Sequence, residues 1–131
     1  MSNINIAEEN FNLLYEQIKD DLTSISSEED AKVKIINRIF TECLGWSFSS
    51  FSCENNHDNG FSDYILKING NPELVIEAKR IGVLGVESAI TNSHRTLKIS
   101  GSVLKPSMNG IKQAHSYASE VGIPISIVTD G

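Results

Sequence analysis

The sequence predicts an α/β domain, and three observations lead there. Apolar residues recur at helical spacing near both ends of the chain, over 7–21, 28–44 and 108–121. The centre holds two strand-like runs, 61–68 and 72–79, joined by Asn69-Gly70-Asn71. Ile123-Pro124-Ile125-Ser126-Ile127-Val128 is a near-continuous apolar run with the look of a buried strand. With 131 residues, 40% hydrophobic and 21% charged, the chain is sized and composed as one globular unit, 1–131.

The first helix is expected over 7–21, with Phe11, Leu14, Tyr15, Ile18 and Leu22 on one face. It belongs to an N-terminal helical extension, 1–27. Ser26-Ser27-Glu28-Glu29-Asp30 supplies a cap and then acids in the first turn of a second helix, where the dipole favours negative charge. That helix is expected to run to Leu44, burying Val33, Ile36, Ile39, Phe40 and Cys43. Gly45 then suits the position after its end, and Trp46 re-enters the core. Phe48 to Cys53 reads as a strand and 54–60 as a polar loop. Residues 81–107, with three glycines and a proline, read as an irregular excursion with a short helix around Val83–Ile90. Met108 to Val121 reads as a helix with Ile111, Ala114, His115 and Ala118 toward the core, stopped by Gly122.

Composition excludes several classes of function. No apolar run reaches the roughly 18 residues of a membrane span, and the N-terminus has no signal-peptide pattern. Cys43 and Cys53 form no CxxC pair, so neither a zinc site nor a disulfide framework is indicated; a reducing cytoplasm is expected. A net charge of −6 argues against sequence-independent nucleic-acid binding by the isolated chain. The charge is uneven, however. Residues 1–60 hold eleven of the 17 acids and four of the 11 bases. From Lys79 to Lys105 there are five bases against Glu87 alone.

The chemistry centres on Asp63 and on Glu77-Ala78-Lys79, which lies fourteen residues further on. Two converging carboxylates can hold a divalent cation, and a neighbouring lysine can steady a reacting phosphate or water. Register decides whether they converge. With a three-residue loop, Ile68 faces Pro72, Leu66 faces Leu74, and Asp63 falls opposite Glu77 on the same face, with Lys79 pointing the same way. Opposed residues of that kind sit about 4.5–5.5 Å apart at Cβ. A two-residue Asn69-Gly70 turn sets Asp63 opposite Ile76 and sends the acids to opposite faces. The chemistry therefore requires the longer loop or a bulge. The pattern alone leaves a second reading open, in which the acids end strands in solvent or pair structurally with Lys79 or Arg80. Gln113 and Tyr117, four apart on one helical face, can donate to a phosphate or a water, or simply form a polar helix edge. Glu29 is explained by the helix dipole or by a place near a metal. His57, His94 and His115 show no ligand spacing.

Several segments occur in a telling order: Glu29-Asp30-Ala31-Lys32 before an apolar helix, Leu44-Gly45-Trp46, Ser62-Asp63-Tyr64, Leu74-Val75-Ile76-Glu77-Ala78-Lys79-Arg80, Gln113…Tyr117-Ala118, and Ile127-Val128-Thr129-Asp130-Gly131. Together they resemble the N-terminal nuclease domain of type I restriction enzyme R subunits, within the PD-(D/E)xK superfamily. The resemblance covers 28–80 and 108–131. It implies a restriction endonuclease-like core, a mixed sheet of four to five strands flanked by helices, that cuts DNA with Mg²⁺ or with Mn²⁺ in its place.

It further implies that Asp63 and Glu77 are metal ligands assisted by the Ala78 carbonyl, and that Lys79 is the catalytic lysine. Gln113 and Tyr117 match a QxxxY element, and Glu29 a helix-borne acid near the metal. Ser62 stands where the superfamily name has Pro, and 81–107 is longer and more irregular than the pattern. The implied setting is a prokaryotic restriction or phage-defence system, with this chain as the front domain of a longer polypeptide. DNA and an ATP-dependent helicase domain or restriction-complex subunits are the implied partners. Two alternatives share the fold: a module that binds DNA or protein without catalysis, and a repair nuclease or junction resolvase.

Overall fold

A computed structural model describes residues 3–57, 60–85, 101–102 and 104–131. Helix α1 spans Asn3–Ile18, starting and ending a few residues earlier than its apolar spacing predicts. Helix α2 opens as Glu28–Ala31 and continues through two π-helical turns, Lys32–Ile36 and Ile39–Cys43. Strands β1 (Phe51–His57), β2 (Gly60–Ile68) and β3 (Asn71–Ala78) follow. Helix α3 spans Met108–Val121, and β4 spans Ile125–Thr129. The strands form one sheet in the order β1-β2-β3-β4. The first two pairings are antiparallel and β3–β4 is parallel, so the described sheet is mixed and four-stranded.

Alternation along the strands sorts the core into two layers. Tyr64, Leu66, Leu74, Ile76 and Ala78 pack with Ile36 and Phe40 of α2, and Trp46, Phe51 and Ile127 lie against them. Ile65 and Val75 point the other way and pack with Tyr117, Ala118 and Ile123. Helices thus cover both faces of the hairpin. A third cluster of Ile25, Ala31 and Ile35, with Ile18, Leu22 and Ile39 beside it, joins α1 to α2. There Phe11 and Tyr15 stay half exposed, because they line an apolar cleft of about 250 Å³ between the two helices.

The structure corrects several local expectations. Ser27 does cap α2, its hydroxyl accepting the Asp30 N–H at 3.0 Å. The π turns then shift the buried face, since each inserts about one residue into the helical register. Ile35 is therefore buried, whereas Val33, expected inside, is 61% exposed. The Thr41 hydroxyl, bonded to the Asn37 carbonyl at 2.7 Å, occupies the same stretch, and such back-bonding bends helices. Phe48–Ser50 is a 3₁₀ turn rather than the start of a strand, and β1 runs on to His57 through the expected loop. On α3 the buried positions are Gly110, Ala114, Tyr117 and Ala118, while His115 faces solvent. Strand β4 forms an edge of the described sheet, so Ile125 is 56% exposed and Ile127 and Val128 are only partly buried, while Ile123, just before the strand, is buried. Most of the 81–107 excursion, including the helix expected to Ile90, lies outside the described residues.

The hairpin resolves the register question by the bulge, with the short turn kept. Asn69 (φ 51°) and Gly70 (φ 81°) form a two-residue turn of the left-handed kind that hairpins favour, with Ile68 opposite Asn71. The pairing then shifts between Leu66 and Lys67: Lys67 pairs with Pro72, but Leu66 pairs with Leu74, leaving Glu73 as the extra residue of a β-bulge. Beyond it Tyr64 faces Ile76. One further step brings Asp63 level with Glu77.

Candidate active site at the end of the hairpin

Glu77 and Lys79 follow Val75 on the α3 side of β3, because side chains alternate along a strand. Burial comes with that position. Glu77 is 3% exposed, at the end of a run (Leu74, Val75, Ile76) buried for packing. Its Oε1 accepts a hydrogen bond from Lys79 Nζ at 2.6 Å. Its Oε2 is buried and has no hydrogen-bond partner among the described residues. Burial raises the Glu77 pKa above the ordinary carboxylate value. Lys79 opposes that shift, and the charges of Asp63 and Glu28 add to it.

Asp63 approaches from β2. Its Oδ2 accepts the Ala78 N–H at 2.7 Å, one step past the last β2–β3 pair, so a side chain takes up a backbone donor there. Its Oδ1 lies 2.6 Å from Lys32 Nζ of α2. Lys32 also meets Glu29 Oε1 at 3.0 Å and Glu28 Oε1 at 3.5 Å. Burial pulls the Lys32 pKa down, but its bonds to Asp63 and Glu29 outweigh that pull and raise it. Lys32 is a permanent cation here.

Helix α3 contributes the third side. Lys79 Nζ donates to Gln113 Oε1 at 3.1 Å, and Gln113 Nε2 donates to the Tyr117 hydroxyl at 3.1 Å. The ammonium has only donors, so it fixes the amide oxygen toward itself and leaves the amide nitrogen to the hydroxyl, which can accept. Close approach of α3 makes the chain of contacts possible. At Gly110 a Cβ would come within 2.7 Å of Val128 Cγ2 and 3.5 Å of Lys79 Cε, so the helix sits where only a hydrogen fits. The loop after β3 is tied to the same wall. The buried Ser107 hydroxyl donates to the Leu84 carbonyl at 2.6 Å, and the Leu84 N–H reaches Asp130 Oδ2 at 3.1 Å.

Of the residues singled out in the sequence, Asp63, Glu77, Ala78, Lys79, Gln113 and Tyr117 are brought into one linked set. Glu29 is not in it directly. Its carboxylate is exposed and reaches Asp63 through Lys32. Lys32 is the residue that sequence reasoning missed. The signal was present: a lysine three and four residues after Glu29 and Glu28, on the same face of a helix that also buries Ile35 and Ile36. Among the described residues no group of three or more His, Cys, Asp or Glu side chains is arranged to hold a metal ion.

A four-stranded mixed sheet flanked by helices, with two acids and a lysine at the end of its central hairpin, has the form of a restriction endonuclease-like α/β domain. The sequence comparison is more particular, matching residues 3–131 to the family described as type I restriction enzyme R protein N terminus (HSDR_N). The chain belongs to that family. No curated protein and no solved structure matches it. No described helix is long and apolar enough to cross a membrane.

Proposed function

We propose that this domain is a metal-dependent DNA endonuclease of the PD-(D/E)xK type, acting within a restriction system. One observation carries the reading: Glu77 Oε2 is buried without a hydrogen-bond partner among the described residues, next to a second carboxylate and a lysine. An uncompensated buried carboxylate oxygen is costly, and a cation at that point removes the cost. The donor set suits Mg²⁺. That ion keeps several of its own waters and takes one or two carboxylates together with substrate phosphate, so it needs no three-ligand cage. Asp63 and Glu77 would hold it, with the Ala78 carbonyl assisting and Mn²⁺ able to replace it. When bound, the ion polarises the scissile phosphate and acidifies the attacking water.

The chain's own groups do the rest. Lys79, held between Glu77 and Gln113, presents a fixed positive charge to the phosphate as negative charge grows on it. Gln113 positions that ammonium, and Tyr117 positions Gln113. Asp63, anchored by the Ala78 N–H, keeps its second oxygen directed away from the strand ladder. DNA is the partner this chemistry serves. Because the chain is acidic overall, helicase or restriction-complex subunits would supply part of the affinity.

Nicking of supercoiled plasmid in Mg²⁺ or Mn²⁺ tests the proposal. The parent converts plasmid to open circles, and Asp63→Ala and Lys79→Ala lose at least about a hundredfold in rate, the usual scale for removing an electrostatic catalytic group. Equal cutting by parent and variants would sink it.

A further inference from the structure

Lys32 places a buried ammonium against the very oxygen of Asp63 that the Ala78 N–H leaves open. Its side chain is 10% exposed and meets three carboxylates within 3.5 Å. The closest, at 2.6 Å, is Asp63 Oδ1. Building on the metal-dependent reading above, we propose that Lys32 is an internal counter-cation that competes with the divalent ion for Asp63 and so sets the ion concentration at which the site loads.

The argument is one of charge and reach. Asp63 Oδ2 is taken by a backbone donor at 2.7 Å, so Oδ1 is the oxygen left to a metal, and the ammonium already neutralises it. Two cations on one carboxylate repel each other, and the low-dielectric surroundings strengthen that repulsion. A lysine is suited to yielding. It is a compact charge on a four-carbon stem with three rotatable donors, unlike the rigid fork of an arginine. It also has somewhere to go. Glu28 and Glu29 stand in the first turn of α2, four and three residues before Lys32, and are 43% and 72% exposed. An ammonium leaving Asp63 keeps these two partners and is not stranded in the core. In the metal-free site Lys32 offsets the repulsion among Asp63, Glu77, Glu28 and Glu29 and keeps Asp63 in place. Once an ion arrives, the same charge opposes it.

Titration calorimetry with Mn²⁺ on the intact domain tests this directly, without any cleavage readout. Lys32→Met, which keeps length and drops charge, should bind Mn²⁺ about tenfold more tightly than the parent, on the scale of removing one nearby repelling charge. Lys32→Arg should stay within about threefold of the parent, because the charge is kept. Lys32→Gln, which retains a donor for Asp63, reads the same difference if the Met variant fails to fold by circular dichroism. Tighter binding in the neutral variants supports the proposal. So does binding that appears in them when the parent shows none. Unchanged or weaker Mn²⁺ affinity in the neutral variants overturns it while leaving the metal site standing, provided the parent binds. No Mn²⁺ bound by the parent or by any variant overturns both this proposal and the metal-dependent reading.

Discussion

Replacing Glu77 by Gln should stabilise the metal-free domain at neutral and alkaline pH. In the parent, Oε2 is a buried acceptor with no described partner, on a carboxylate that is 3% exposed. An unsatisfied buried polar atom costs about 1–3 kcal/mol, and a charged one lies at the upper end. Gln keeps an oxygen to accept from Lys79 but gives up the charge that makes that 2.6 Å contact strong. It also leaves an amide N–H₂ where Oε2 was. Those losses offset more than half the gain, so the net is about 1 kcal/mol. For a chain of this length that is about 4 °C in Tm.

The sign with pH follows from the raised Glu77 pKa. The folded state holds the Glu77 proton more tightly than the unfolded chain does, so parent stability falls as pH climbs from the ordinary carboxylate range through the raised value. Below that window the parent carboxyl is neutral and resembles Gln. Thermal melts in EDTA at a series of pH values are the assay. The advantage of Glu77→Gln should be small at pH 4, grow with rising pH and level off above the raised pKa. A variant less stable than the parent at pH 8, or an advantage that shrinks as pH rises, would refute the reasoning.

Two further outcomes test the wall that α3 forms. Gly110→Ala forces a Cβ to within 2.7 Å of Val128 Cγ2, so it should cost about 1–3 kcal/mol in chemical denaturation, typical of overpacking. It should also weaken the Lys79–Gln113 contact, since the helix must back away from β3 and β4. Ser107→Ala removes the donor to the Leu84 carbonyl and leaves a buried acceptor unpaired, for a loss of about 1–2 kcal/mol. Its amide-exchange signature should be loosened protection at Leu84 more than in the strands, and uniform loosening would contradict the local role.

Much of this architecture was legible because the strongest signals were local. Helix α3 and its stop at Gly122 follow from spacing and from a glycine that adopts φ 71°. The cap at Ser27 followed from a polar residue before three acids. The hairpin was legible as well, and so was the condition that Asp63 and Glu77 meet only with a bulge or a longer loop. What propensity could not reveal was that Glu73 would be the bulged residue, since nothing in its side chain demands it. The π turns of α2 were equally silent. They depend on how Ile35, Ile36 and Phe40 settle against the sheet and α1, a tertiary preference that overrides the 3.6-residue period. Lys32 escaped notice for the same reason, because its partner Asp63 comes from another element. Apolar content misjudged β4, whose place at the edge of the described sheet is a matter of topology.

The bulge makes Glu73 the one spare residue in this hairpin. Dropping that one residue while keeping the Asn69-Gly70 turn would straighten β3 and still leave Asp63 level with Glu77, because the pairs on either side of it, Lys67–Pro72 and Leu66–Leu74, would simply become consecutive. At unchanged length, a kinked strand with a tight tip and a straight strand with a looser, three-residue tip keep the same two acids abreast, so the geometry of the tip can vary without disturbing the far end of the hairpin.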